Sequence, residues 1–243
     1  MSDLADRLIV ALDTPSLEQA EALVVRLRPA VRWFKVGAEL FTAAGPEAVR
    51  MVHRHGALVF LDLKWHDIPR TVAAAVRAAA SLGVAMMNVH LAAGAEALRG
   101  AVGELAVAGS GRRPLLLGVT VLTSLSADAA AVVAAAREAR ACGLDGVVAS
   151  AREVPAIRAA CGEGFLVVAP GIRPSGAMQD DQRRAVTAGE AIRLGADFLV
   201  VGRPVVLAAD PAAEVARLLA AMRDAAERTN EAGGAAHVVR LTP

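Results

Sequence analysis

Eight short apolar runs recur about every 25 to 30 residues, and an alanine-rich amphipathic stretch of helical length follows each one. The runs lie near 7–12 (RLIVAL), 32–37 (RWFKVG), 57–63 (ALVFLDL), 85–90 (AMMNVH), 115–121 (LLLGVTV), 146–149 (GVVA), 165–169 (FLVVA) and 197–202 (DFLVVG). Their continuous apolar character requires burial on both faces, as in parallel strands covered by helices. Thr14-Pro15, Ile68-Pro69 and Asp210-Pro211 punctuate helix starts, with proline early in a turn where its missing N–H costs nothing. Alternation over eight strands with no linker predicts an α/β chain folded as a single-domain (β/α)8 TIM barrel; an open doubly wound sheet is the alternative. The barrel is expected over residues 1–225. Periodicity fades after that, and 226–243 reads as a flexible C-terminal tail.

A chain of 243 residues, 55% hydrophobic and 21% charged, can bury one large core. Its 26 basic and 25 acidic residues are scattered and leave a net charge of +1, so no basic stripe offers a surface to nucleic acid. An anionic partner is therefore expected to be small. The mean hydropathy of +0.45 comes from alanine and valine stretches interrupted by Arg, Asp or Glu, and no run approaches the ~20 apolar residues of a membrane span. The start, Met-Ser-Asp-Leu-Ala-Asp, lacks the basic opening of a secretory signal, which predicts a cytoplasmic protein. Cys142 and Cys161 form neither a disulfide framework nor a zinc pattern and read as two buried thiols.

In a barrel, chemistry sits at the C-terminal ends of the strands, so charged residues there are the informative ones. Run 1 ends in Asp13, run 2 carries Lys35, and run 3 leads into Asp62-Leu63-Lys64-Trp65-His66-Asp67. Asp62 and Lys64, two apart, share the strand face that points into the mouth, while Leu61 and Leu63 face the helices. A buried ion pair closing the barrel top is the structural alternative, but four titratable groups converging from neighbouring strands exceed what such a pair needs.

A second cluster lies at the ends of runs 7 and 8, where barrels often hold a phosphate. Pro170-Gly171-Ile172-Arg173 and Gly202-Arg203-Pro204 combine glycines that admit close backbone approach with arginines suited to bidentate contact, and Pro204 opens a helix. The polar segment 175–187 between them, with Gln182 inside the run DDQRR, is long for a βα loop and reads as a lid. His53 and His55, at a helix end, read as solvated; His90 is open between ligand contact and core hydrogen bonding; Trp65 and His66 read as packing or support. No dinucleotide fingerprint, Walker loop or metal spacing occurs, which predicts no cofactor.

DLKWHDIP at 62–69, PGIRP at 170–174, the DDQRR run and VVGRP at 200–204 together resemble the orotidine 5′-monophosphate decarboxylase family. The resemblance spans most of the chain, from VALD at 10–13 through KVG at 35–37, NVH at 88–90, VTVLTS at 119–124 and GLDGVV at 143–148. The D-x-K-x-x-D core is shared with related phosphosugar decarboxylases; its continuation into HDIP is more specific. Trp65 and Arg70 depart from the family's usual smaller residue and asparagine.

The resemblance implies decarboxylation of orotidine 5′-monophosphate to UMP in pyrimidine synthesis, by a homodimer without a cofactor. Lys64 would protonate C6 within a charged network of Lys35, Asp62, Lys64 and Asp67, with Asp67 reaching into the other subunit's site. Asp13 and Lys35 would contact ribose. Thr71 and Thr123 match nucleotide-binding positions, and Arg173, Gln182, Gly202 and Arg203 match a clamp on phosphate and pyrimidine. Loss of carboxylate from orotate leaves a C6 carbanion that no carbonyl delocalises, so electrostatic stabilisation must carry the reaction. The alternatives are a phosphosugar decarboxylase or aldolase working through a divalent metal or a Lys64 Schiff base, and a non-catalytic phosphate-binding barrel.

Overall fold

Both-face burial of the apolar runs produces eight parallel strands that close into a barrel in sequence order. In this computed structural model, which describes residues 4–107, 113–120, 128–173 and 186–231, the strands are β1 (Leu8–Ala11), β2 (Trp33–Gly37), β3 (Leu58–Trp65), β4 (Met86–His90), β5 (Leu115–Val119), β6 (Gly146–Val148), β7 (Leu166–Ala169) and β8 (Phe198–Val201). The helices are α1 (Leu17–Leu27), α2 (Ala38–Ala44), α3 (Glu47–Arg54), α4 (Pro69–Ser81), α5 (Ala95–Val107), α6 (Ala129–Ala141), α7 (Val154–Cys161), α8 (Ala188–Arg193), α9 (Arg203–Val206) and α10 (Pro211–Glu231). β1 pairs with β8, so the sheet is closed and the doubly wound alternative is excluded.

Alternate side chains fill two cores. Ile9, Trp33, Phe60, Met86, Leu117 and Phe198 pack inside the barrel, where the Trp33 and Phe198 rings meet edge to face at 5.6 Å. Their strand neighbours, such as Leu8, Phe34, Leu61 and Met87, pack outward against the helices. Gly146 marks where backbones run closest: a Cβ there would lie 2.2 Å from the Leu166 carbonyl oxygen.

Helix starts follow the sequence punctuation with one correction. Pro69 and Pro211 open α4 and α10, and Asp210 caps α10 by accepting from the Ala212 and Ala213 N–H groups. Pro15, by contrast, lies outside α1, because the Ser16 side chain accepts from Gln19 N–H and sets the helix start after it. α10 continues past Ala225 through residues 226–231, and Thr229 bonds back to the Ala225 carbonyl within it. No helix among the described residues is long and apolar enough to cross a membrane.

The end of the barrel opposite the strand C-termini is tied by charges that the sequence patterns did not single out. Asp197, fully buried before β8, accepts from Val167 N–H and from Arg158 of α7 at 2.9 Å. Arg158 also donates to the carbonyls of Glu163, Phe165 and Gly195, and Arg7 donates to the Asp197 carbonyl. Pairing and multiple hydrogen bonds are what make burial of these charges tolerable.

Candidate active site

The opposite end is irregular where it matters. In the β3–β4 ladder Leu61 pairs with Met87 and Trp65 with Val89, so Asp62, Leu63 and Lys64 all face the single residue Asn88. The extra residues bulge the strand, and Lys64 becomes the one non-glycine with positive φ (51°) among the described residues. The expectation from alternation holds in outcome: Leu61 and Leu63 face the helices, and Asp62 and Lys64 both line the mouth. Lys64 Nζ lies 2.7 Å from Asp62 Oδ1.

Charges alternate across the mouth. Lys35 Nζ stands 3.1 Å from Asp13 Oδ1 and 3.2 Å from Asp62 Oδ2, so Asp62 is bracketed by Lys35 on one oxygen and Lys64 on the other. Burial pushes the Asp62 carboxyl upward, but the two ammonium groups and the Asn88 hydrogen bond outweigh it and hold its pKa below the ordinary value. Burial likewise pulls Lys35 down, and Asp62 and Asp13 more than offset it, leaving its pKa above the usual lysine value. Asp62 and Lys35 are therefore both ionised at neutral pH. Lys64 is the accessible member, its side chain 38% exposed against 11% and 10% for Lys35 and Asp62.

Asp13, Lys35, Asp62 and Lys64 line a cavity of about 210 Å³ together with Pro170, Gly171, Arg173, Gly202 and Arg203. Phe60, Val119, Val148 and Val200 supply an apolar floor. The expected catalytic and phosphate clusters thus converge on one space suited to a small molecule. Gly171 has φ 80°, and Arg203 opens α9 with Pro204 second in the helix. Gly202 has a role that the sequence reading did not assign: a Cβ there would sit 2.8 Å from Asp13 Oδ2, so glycine makes room for that carboxylate as well as for a ligand.

Two expected residues do not reach this cavity on their own chain. Asp67 is exposed and its Oδ1 accepts from Ile68 N–H; Thr71 is exposed in the first turn of α4. Thr123 and Gln182 lie outside the described residues, as does most of the 175–187 segment; of that segment, Val186 bridges Ile172 and Thr187 caps α8. His55 departs from a solvated role, its Nε2 lying 2.8 Å from Glu21 Oε1. His90 accepts from Ala92 N–H and stacks on His66 at 5.3 Å, beside the cavity rather than lining it. Trp65 packs partly against the outer core, and both cysteines are buried. Asn88, fully buried against Asp62 and Lys64, is the site residue that pattern reading passed over. The available signal was a lone amide in an apolar strand, at the same parity as the inward Met86.

Fold and site together define a (β/α)8-barrel enzyme whose mouth brings lysine and carboxylate groups together with Arg173 and Arg203. Residues 6–218 match the family described as orotidine 5′-phosphate decarboxylase / HUMPS, and the chain belongs to that family. An orotidine 5′-phosphate decarboxylase from Moorella thermoacetica is 52% identical over 231 residues, covering 89% of this chain and 91% of the relative. Another from Syntrophotalea carbinolica is 50% identical, covering 91% of this chain and 96% of the relative. The crystal structure of the orotidine 5′-phosphate decarboxylase of Lactobacillus acidophilus superposes with a TM-score of 0.77 at 35% identity, over 89% of this chain and 98% of that one.

Proposed function

We propose that the protein decarboxylates orotidine 5′-monophosphate to UMP and that Lys64 donates the proton to C6. The observation that carries this reading is the bracketing of one buried carboxylate, Asp62, by two ammonium groups that both line the cavity, Lys64 being the more exposed. With the phosphate held at Gly202 and Arg203, the orotate ring extends toward that face. The C6–carboxylate bond breaks heterolytically, CO2 departs, and the electron pair stays on C6. The Lys64 ammonium lies beside the developing carbanion, stabilises it and gives it a proton; water then restores the lysine. The sum is one substrate and one proton in, one UMP and one CO2 out.

Asp62 serves in two ways. It fixes the Lys64 ammonium at 2.7 Å, and its negative charge opposes a substrate carboxylate held nearby. Lys35, buried between Asp62 and Asp13, holds Asp62 ionised and keeps Asp13 oriented toward the ribose. Binding energy from the phosphate, remote from the reacting bond, offsets the cost of dehydrating the ring.

Asp67 belongs to this network through a homodimer. On its own chain it faces away from the cavity, and at the head of α4 it is exposed and able to enter a partner's mouth. The test is direct: purified protein is incubated with orotidine 5′-monophosphate, with and without chelator, and CO2 and UMP are measured. Stoichiometric release of both, surviving the chelator and borohydride trapping, supports the reading. Absence of turnover overturns it, and chelator-sensitive turnover or a trapped lysine adduct points to the phosphosugar-type chemistry instead.

A further inference from the structure

Beyond the charged groups, one neutral side chain is placed to control them. Asn88 occupies the centre of β4, fully buried, where three residues of β3 bulge past it. Its Oδ1 accepts the Lys64 backbone N–H at 2.8 Å, and its Nδ2 donates to Asp62 Oδ1 at 2.6 Å. The first bond replaces a ladder bond that the bulge breaks and holds Lys64 in a left-handed conformation that is ordinarily unfavourable for a residue with a side chain. The second fixes the oxygen on which the Lys64 ammonium also rests.

We infer that Asn88 is a positioning residue: its amide clamps the Lys64 backbone and the Asp62 carboxylate together, so that the Lys64 ammonium is aimed into the cavity before substrate arrives. This rests on the decarboxylase reading for its effect on turnover, but not for the clamp itself. An amide is the one common side chain that supplies both bonds in this space. Aspartate matches its shape and can accept from Lys64 N–H, but sets a second carboxylate against Asp62; alanine loses both bonds; serine can replace one.

Asn88→Ala, Asn88→Ser and Asn88→Asp should each be assayed for kcat, KM, UMP affinity and pH profile well below their Tm. Misaiming the reacting group predicts a kcat loss of about a hundredfold in Asn88→Ala, with a smaller loss in Asn88→Ser, while UMP affinity changes less than about threefold because the phosphate rim is untouched. In Asn88→Asp the acid limb of the kcat profile should move to higher pH, since a neighbouring carboxylate opposes ionisation of Asp62. A folded variant with kcat within about threefold of wild type and an unmoved acid limb overturns the inference even if its Tm has fallen. The clamp is also read without turnover, in wild-type protein, by NMR of the Asn88 side-chain amide. Its protons should resist exchange with water and shift on Asp62→Ala substitution. Exchange at the rate of an exposed amide overturns the inference whether or not the variants fold and whether or not the substrate is orotidine 5′-monophosphate.

Discussion

At the scale of the residue, charge placement rather than charge count defines this site. Asp62 accepts from Lys64, Lys35 and Asn88 at once, which holds its pKa below the ordinary carboxylate value and that of Lys35 above the ordinary lysine value. A depressed acid contributes stability above its unfolded pKa and loses it as pH falls through the folded one; a raised lysine contributes below its unfolded pKa and loses it as pH rises through the folded one. The stability difference between wild type and Asp62→Asn should therefore stay flat from about pH 5 to about pH 9 and shrink on further acidification, as read by urea unfolding. A difference that grows in acid would contradict this assignment of charge. Gly202 yields a second prediction: Gly202→Ala places a methyl against Asp13, and kcat/KM should fall about tenfold or more with the fold retained. Unchanged kinetics would mean that Asp13 has slack the packing does not show.

At the scale of the element, the strands were legible because burial on both faces leaves a signature that needs no partner to read. Seven of the eight expected runs contain their observed strand whole, and β3 overruns the third by two residues, to Trp65. The irregular end of β3 was not legible, because its bulge depends on Asn88 of another strand. The same limit hid the Arg158–Asp197 pair, whose members lie 39 positions apart. Asp13, Lys35, Asp62 and Lys64 were recognisable as charges that violate an apolar pattern, whereas Asn88 carries no charge and Asp67 faces away from its own cavity. The Ser16 cap of α1 shows local chemistry overriding a proline signal. Close strand approach supplies an element-scale prediction. Gly146→Ala drives a Cβ against the Leu166 carbonyl, a backbone atom that cannot swing away, and should destabilise by about 2 kcal/mol or more in urea unfolding. A loss under about 0.5 kcal/mol would show that β6 and β7 separate freely.

At the scale of the whole molecule, the two ends of the barrel divide the work. The Arg158–Asp197 pair lies at the end away from the cavity, with Asp197 fully buried, so Asp197→Ala should cost about 3 to 5 kcal/mol of stability while leaving KM of the folded fraction near wild type. The other end spends charge on an open cavity. If Asp67 completes a partner's site, Lys64→Ala and Asp67→Ala homodimers should each be nearly inactive, and an exchanged 1:1 mixture should regain about a quarter of wild-type activity through mixed dimers with one intact site. No recovery despite demonstrated exchange would return Asp67 to its own subunit. The proposed chemistry depends most directly on Lys64, the more exposed ammonium beside the buried carboxylate. Its measurement is kcat on orotidine 5′-monophosphate together with UMP affinity for Lys64→Ala. In Lys64→Ala kcat should be lower by about a thousandfold or more, because stabilisation of the carbanion and its proton source are lost together, with UMP affinity within about tenfold of wild type. A kcat within about tenfold of wild type would contradict it.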